Sequence, residues 1–342
     1  MPAPRDFDIV LVLSGGNALG AFEAGAFEVL HARGLQPDWV VGTSIGALNG
    51  ALIAGTPSER RAEALRSFWR VAPPERGQAD HRALPFPFSQ IETWRRSEAA
   101  AWTVAAGRPG LFGPFLSAMA PWAVREPSLF ETGQMLRTLE RLVDFERLNK
   151  GACRYSATAV DLESGEDVIF DSRRHTVDAR HVQASAALPV LFPPVEIAGR
   201  WHVDGGLSAN LPLDPVFAEP PARPMLCIAV DLVPLRRPRP RTLGEIASRS
   251  QDLIFATQSR RSIARWQSVY AGRDDVQATL LRIAYERQGE EIAAKAFDFS
   301  EPTVGKRWRD GMHAMEAALL RLPDACPLQR RGLTLIDGEG DP

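Results

Sequence analysis

Ser44 lies between Gly42 and Gly46 in the stretch VVGTSIGALNG. A hydroxyl flanked by residues without side chains suits a sharp strand-to-helix turn that lifts the oxygen clear of the backbone. Nucleophilic acyl transfer needs that placement. A serine that merely caps a helix N-terminus fits the same pattern. A serine nucleophile also needs a group to take its proton. The six histidines, His31, His81, His175, His181, His202 and His313, include no evident partner. Asp204 is a better one. It follows a short apolar run and opens the turn Gly205-Gly206, where a carboxylate can approach another loop closely. Shielded from water, it would hold a proton more tightly, as a general base must. A plain Asp-Gly turn is the competing reading.

A third feature is the glycine-rich turn SGGNALG, residues 14–20. A dinucleotide fingerprint places glycines at two fixed spacings after the first. From Gly15 those positions are Asn17 and Gly20, so the middle glycine is missing. A phosphate loop would continue from Gly20 with Lys and Ser or Thr, but Ala21 and Phe22 follow. Nucleotide binding is therefore set aside. Unpaired N–H groups at a helix N-terminus can also receive a developing oxyanion. A tight turn that simply needs glycine is the alternative.

The three motifs in this order resemble the patatin-like phospholipase family. They are GGNALG from Gly15, GTSIG from Gly42 and DGG from Asp204, joined by the segment ASAALPVLFPPVEIAGRWHVDGG. The likeness covers residues 7–220. It implies a three-layer α/β/α fold with a mainly parallel central sheet and a nucleophile elbow. It also implies a dyad of Ser44 as nucleophile and Asp204 as general base and acid, with no histidine. Gly15, Gly16, Asn17 and Ala18 are then expected around the oxyanion, and Gly42, Gly46, Gly205 and Gly206 at the two turns. No metal or cofactor is implied. The implied substrates are lipid or acyl esters; soluble or short polyester esters, thioesters, and a weakly active lipid-binding role are the alternatives. Two positions depart from the family: its third loop glycine is Asn17, and Leu19 stands where a basic residue is frequent. Asn tolerates left-handed backbone, so backbone donors survive the first change. The stretch FDFSEPTVGKRWRDGM is similar to an extension found in a bacterial subgroup.

The elements around these motifs follow an α/β rhythm. Residues 7–13, FDIVLVL, read as a strand buried on both faces. Phe22, Ala26, Val29 and Leu30 mark a helix that stops at Gly34. PDWVVGTS is a second strand and IGALNGALIAG a second helix, which predicts a largely parallel sheet covered on both faces. Eight of the 27 prolines fall within 71–130, so that stretch is expected to be an insertion of short helices and irregular turns. Its Phe86, Phe88, Trp94, Trp102, Phe112, Phe115 and Trp122 are candidates for an acyl groove or lid, or for plain packing. A helix near 132–143 and a hairpin turning at Ser164-Gly165 come next. A strand MLCIAVDLV and a basic loop LRRPRPR (235–241) follow. The chain then continues with an amphipathic helix 243–271, a strand 278–285 and a helix 303–321. Residues 221–325 are read as an extension completing the same domain, and 326–342 as a tail.

Composition narrows the class. Hydrophobic residues make up 45% and charged residues 24% of the 342, as in ordinary globular proteins. A net charge of −2 gives no general attraction to nucleic acid. No apolar run approaches the roughly 20 residues of a membrane helix, and the acidic N-terminus does not read as a secretory signal. Cys153, Cys227 and Cys326 are too scattered for a metal site or a disulfide set, which fits a reducing, cytoplasmic setting. The basic loop could touch anionic headgroups, so peripheral membrane contact is expected alongside the lipid substrate.

Overall fold

The computed structural model describes residues 6–71, 89–115, 128–286, 288–289, 291–322 and 331–337. Its centre is a nine-stranded sheet. The strands are β1 (Asp8–Leu13), β2 (Trp39–Thr43), β3 (Arg154–Asp161), β4 (Asp167–Asp171), β5 (Val195–Ile197), β6 (Arg200–Asp204), β7 (Met225–Asp231), β8 (Gln277–Ala284) and β9 (Gly332–Asp337). The run β3-β2-β1-β7-β8-β9 is parallel throughout. β4 and β6 lie antiparallel to β3, and β5 antiparallel to β6.

Successive residues of β1 serve two different cores. Ile9, Leu11 and Leu13 join the larger cluster, whereas Val10 and Val12 join the second. β7 divides likewise, with Leu226, Ile228 and Val230 on one side and Cys227 and Ala229 on the other. The period of two along an unbroken apolar strand requires cover on both faces. Helices Ala21–Ala32, Ile45–Ala54 and Glu301–Leu319 contribute to the first cluster. The second receives Ile263, Trp266 and Tyr270 from the helix Leu243–Tyr270. The expected three-layer α/β/α arrangement is what forms.

The helix Glu301–Leu319 crosses Ala21–Ala32 at glycine contacts. A Cβ on Gly25 would stand 2.0 Å from the Trp308 carbonyl oxygen, and one on Gly311 would stand 2.0 Å from that of Phe22. Such backbone approach admits no side chain, so the C-terminal helix is seated directly behind the helix that follows the glycine loop.

The decisive pairing is on β3. Thr158 pairs with Ile169 of β4 on one edge and Thr43 of β2 on the other; the next residue, Ala159, pairs with Val168 of β4 and Asp204 of β6. β6 thus takes over the edge that β2 leaves. Because β2 runs parallel to β3 and β6 antiparallel, their C-terminal ends meet there. The hairpin that reverses the chain into β6 turns at Ala198 and Gly199, both at positive φ (52° and 79°), the backbone a tight hairpin demands.

Several expectations are corrected. The stretch 71–130 contains an 18-residue helix, Ser89–Ala106, rather than only short helices and turns. Residues 72–88 and 116–127 lie outside the described residues, and with them Phe86, Phe88 and Trp122. The tail read at 326–342 carries β9, a six-residue edge strand parallel to β8. The remaining helices fall within two residues of expectation, at Gly133–Leu142, Leu243–Tyr270 and Glu301–Leu319.

Candidate active site

β2 ends at Thr43, and Ser44 turns the chain into the helix Ile45–Ala54 with φ 57° and ψ −123°. Positive φ is rare for a residue with a Cβ and costs about 1–3 kcal/mol, so the surrounding contacts must enforce it. A Cβ on Gly42 would lie 2.4 Å from the Gly46 carbonyl, and one on Gly46 would lie 2.3 Å from the Leu13 carbonyl oxygen. Only hydrogen fits at either place. The Ser44 N–H is held by Ser185, donating to its carbonyl and its Oγ at 3.1 Å each.

Asp204 closes β6 and is 3% exposed. Its N–H donates to the Ala187 carbonyl at 3.0 Å, and its Oδ1 accepts from Gly206 N–H at 2.7 Å. Ser44 and Asp204 line the same cavity. Burial pushes the Asp204 pKa up to about 7, while the Ser44 hydroxyl and the Gly206 N–H hold it down. Gly205 lets the turn sit against β3, since a Cβ there would meet Thr158 Oγ1 at 2.5 Å. Among the described residues no histidine lines the cavity at this point.

The glycine loop completes the third side. Gly15 N–H donates to the Asn210 carbonyl at 3.1 Å, and Asn210 Nδ2 donates back to the Gly15 carbonyl at 3.1 Å. The N–H groups of Gly16 and Asn17 meet no acceptor among the described residues, and both residues line the cavity beside Ser44. Asn17 takes φ 52°, the left-handed backbone that asparagine tolerates. Ala18 is buried behind the loop, with its carbonyl accepting from Arg307 Nη1 at 3.0 Å. Leu19 is 2% exposed and lines the cavity.

The cavity has a volume of about 120 Å³. Leu19, Leu48, Leu111, Phe112, Phe192 and Phe297 supply much of its apolar wall. Phe112 packs at a tilt against Phe130 and Phe192, with ring centroids 5.1 and 5.4 Å away. Phe115 is half-buried and packs on Phe130 at 5.9 Å. Trp94 and Trp102 are 65% and 71% exposed and do not line the cavity, so they leave the groove reading. A buried polar spot interrupts the wall. Lys295 Nζ donates to both Asp252 oxygens at 2.7 and 2.8 Å and to Gln288 Oε1 at 2.7 Å. Burial lowers the Lys295 pKa to about 8, against the pull of Asp252. Arg237, expected in a free basic loop, points inward, with its Nη1 2.9 Å from Asp252 Oδ2.

The geometry brings the predicted Ser44, Asp204, Gly16 and Asn17 to one cavity, with the turn glycines Gly42, Gly46, Gly205 and Gly206 beneath. Such an arrangement can pass a proton from a hydroxyl to a carboxylate while free amides face the reacting centre. Ser185, Ala187 and Asn210 were not found from sequence. Ser185 and Ala187 act through the backbone or a short hydroxyl, and nothing in residue type marks them except their place in ASAALP. Asn210 carried no local signal.

The fold and this site define a chain of the α/β acyl-hydrolase class. The family described as patatin-like phospholipase matches residues 11–217, and a second family, described as patatin phospholipase, matches residues 244–327. The chain belongs to the patatin-like phospholipase family and is a lipid ester hydrolase. It is 26% identical to YqhO of Bacillus subtilis over 81% of this chain and 91% of that one. It is also 26% identical to lysophospholipase NTE1 of Mycosarcoma maydis, over 70% of this chain and 10% of that much longer one. Among solved structures, VipD from Legionella pneumophila aligns over 90% of this chain and 67% of its own, at 14% identity and a TM-score of 0.38. Among the described residues no helix is long and apolar enough to cross a membrane.

Proposed function

We propose that the protein hydrolyses carboxylic esters of lipids, of phospholipase A or lysophospholipase type, through a Ser44–Asp204 dyad. Ser44 Oγ attacks the ester carbonyl carbon as its proton passes to Asp204. The tetrahedral oxyanion is received by the N–H groups of Gly16 and Asn17. Asp204 returns the proton to the leaving alkoxide, and an acyl group remains on Ser44. Water then attacks the acyl carbon, gives a proton to Asp204, and the collapse of the second intermediate releases the acid and restores the Ser44 hydroxyl. The acyl chain lies along Leu111, Phe112, Phe192 and Phe297.

The observation that carries this reading is the Ser44 hydroxyl set against a buried carboxyl with a pKa near 7, the range in which a general base works at neutral pH. The left-handed Asn17 backbone supports a working oxyanion site despite the lost glycine. The protein's scattered cysteines support a reducing, cytoplasmic setting. A fluorophosphonate probe is expected to label wild-type protein and not Ser44→Ala. Wild type that stays unlabelled, or variant that hydrolyses p-nitrophenyl esters as fast as wild type, refutes the dyad. A panel of p-nitrophenyl esters, thioesters, lysophospholipid and phospholipid vesicles then orders the substrates; turnover only on soluble esters would displace the lipid reading.

A further inference from the structure

The helix Leu243–Tyr270 is buried along one stripe, Asp252, Ala256, Ser259, Ile263, Trp266 and Tyr270. Its first three turns carry a second apolar face that this packing does not explain. Leu243, Ile246, Leu253 and Ile254 are 84%, 47%, 41% and 59% exposed. At about 100° per residue these four fall within one arc of about 100°, opposite Asp252. Single exposed apolar residues are ordinary, but a contiguous ridge is not.

The segment that carries this ridge is strongly basic. Between residues 236 and 261 the chain holds seven arginines and two carboxylates, although its overall net charge is −2. One of those carboxylates, Asp252, is already paired with Lys295 and Arg237. Arg236, Arg239 and Arg241, immediately before the helix, are exposed, and their side chains make no ion pair among the described residues. Arg239 and Arg241 line an open cleft with Arg249, which Glu245 and Glu291 also line. An apolar ridge on so basic a segment matches an anionic lipid surface, where tails take the ridge and headgroups the guanidinium groups.

The same helix also walls the active site. Gln251, Asp252 and Phe255 line the Ser44 cavity, and Gln251 is exposed as well, so the cavity reaches solvent along this helix. Gln258 Nε2 holds the Leu207 carbonyl at 3.1 Å, and its Oε1 accepts from Asn210 N–H at 3.2 Å, which ties the helix to the residue that clamps the glycine loop. We propose that the outward ridge of Leu243, Ile246, Leu253 and Ile254, with Arg236, Arg239 and Arg241, seats the enzyme on an anionic bilayer surface. This rests on the lipid-ester reading of the cavity.

Cosedimentation with phosphatidylcholine vesicles and with vesicles containing about one-third phosphatidylglycerol tests the proposal, in parallel with turnover of a soluble p-nitrophenyl ester. Wild type is expected on the anionic vesicles, with binding reduced on neutral ones and in high salt. Arg239→Glu/Arg241→Glu and, separately, Ile254→Glu are expected to weaken anionic-vesicle binding about tenfold or more, with soluble-ester turnover unchanged. Wild type that ignores anionic vesicles, or variants that bind as well as wild type, overturns the proposal. So does a variant that changes the sedimentation coefficient but not vesicle binding, because the ridge would then join two copies of the chain. Ester turnover without vesicle binding refutes the docking surface alone, whereas vesicle binding without turnover refutes the hydrolase reading alone.

Discussion

Asp204→Asn should make the protein more stable while removing its activity. In the folded chain Asp204 is 3% exposed, and burial lifts its pKa from 3.8 to about 7. The folded state therefore binds the proton more tightly than the unfolded chain. Wild-type stability falls as pH rises from about 4 to about 7 and then levels, because the buried group is forced to ionise. At about 1.4 kcal/mol per pH unit, the whole interval corresponds to about 4 kcal/mol. An asparagine has no charge to bury, and its oxygen still accepts from Gly206 N–H. The advantage of the variant should grow by about 3 kcal/mol between pH 5 and pH 8. For a chain of 342 residues, an unfolding entropy of about 2.1 cal/mol/K per residue converts this to about 4 °C in Tm. Urea and thermal unfolding of both proteins at pH 5, 6.5 and 8 read the difference directly. In the same preparations ester turnover should fall by about 10²–10⁴, while wild-type kcat/KM should rise with pH and level above about 7. A stability difference that does not change with pH would show that the carboxyl is not held out of water as described, and the reasoning about the base would fall with it.

Other substitutions test neighbouring parts of the frame. Ser44→Gly removes the Cβ from a residue at φ 57° and should raise unfolding stability by about 1 kcal/mol in denaturant titration, with labelling lost. Gly46→Ala drives a methyl against the Leu13 carbonyl oxygen and should cost about 3 kcal/mol by the same measurement. Asn210→Ala frees the Gly15 carbonyl; kcat should fall about tenfold to a hundredfold with KM little changed, and an equal loss in KM alone would contradict the clamp. Arg307→Met removes the donor to Ala18 and one of the two arginine partners of Glu291, Arg96 being the other, which should cost about 2–3 kcal/mol in denaturant titration.

How far the sequence revealed this site depends on the kind of signal each part leaves. The elbow, the glycine loop and the Asp-Gly-Gly turn were legible because tight backbone geometry demands glycine at fixed spacing. That Ser44 and Asp204 line one cavity was not legible from the residues themselves; the family likeness implied it. Nothing in RWHVD announces a strand that runs against β3 rather than with it. The turn before it, Ala198-Gly199, lacks the usual asparagine or aspartate of a hairpin. Helix Ser89–Ala106 was hidden by the prolines on either side and by aromatic residues that suggested packing. β9 was missed because GLTLID is short, sits on an edge and follows a polar stretch. The inward aim of Arg237 could not be read at all, since its partner Asp252 is fifteen residues away on a helix.

The meeting of β2 and β6 on one edge of β3 has a consequence for how such enzymes diversify. Ser44 and Asp204 stand at the tips of two strands against a third, whereas Leu111, Phe112 and Met135, from the long connection between the elbow helix and β3, wall the cavity. On the proposed mechanism, stretches grafted there or trimmed there would alter what an acyl chain meets and leave the two strand tips in register. New substrate preferences can accumulate in that connection without the chemistry being rebuilt each time.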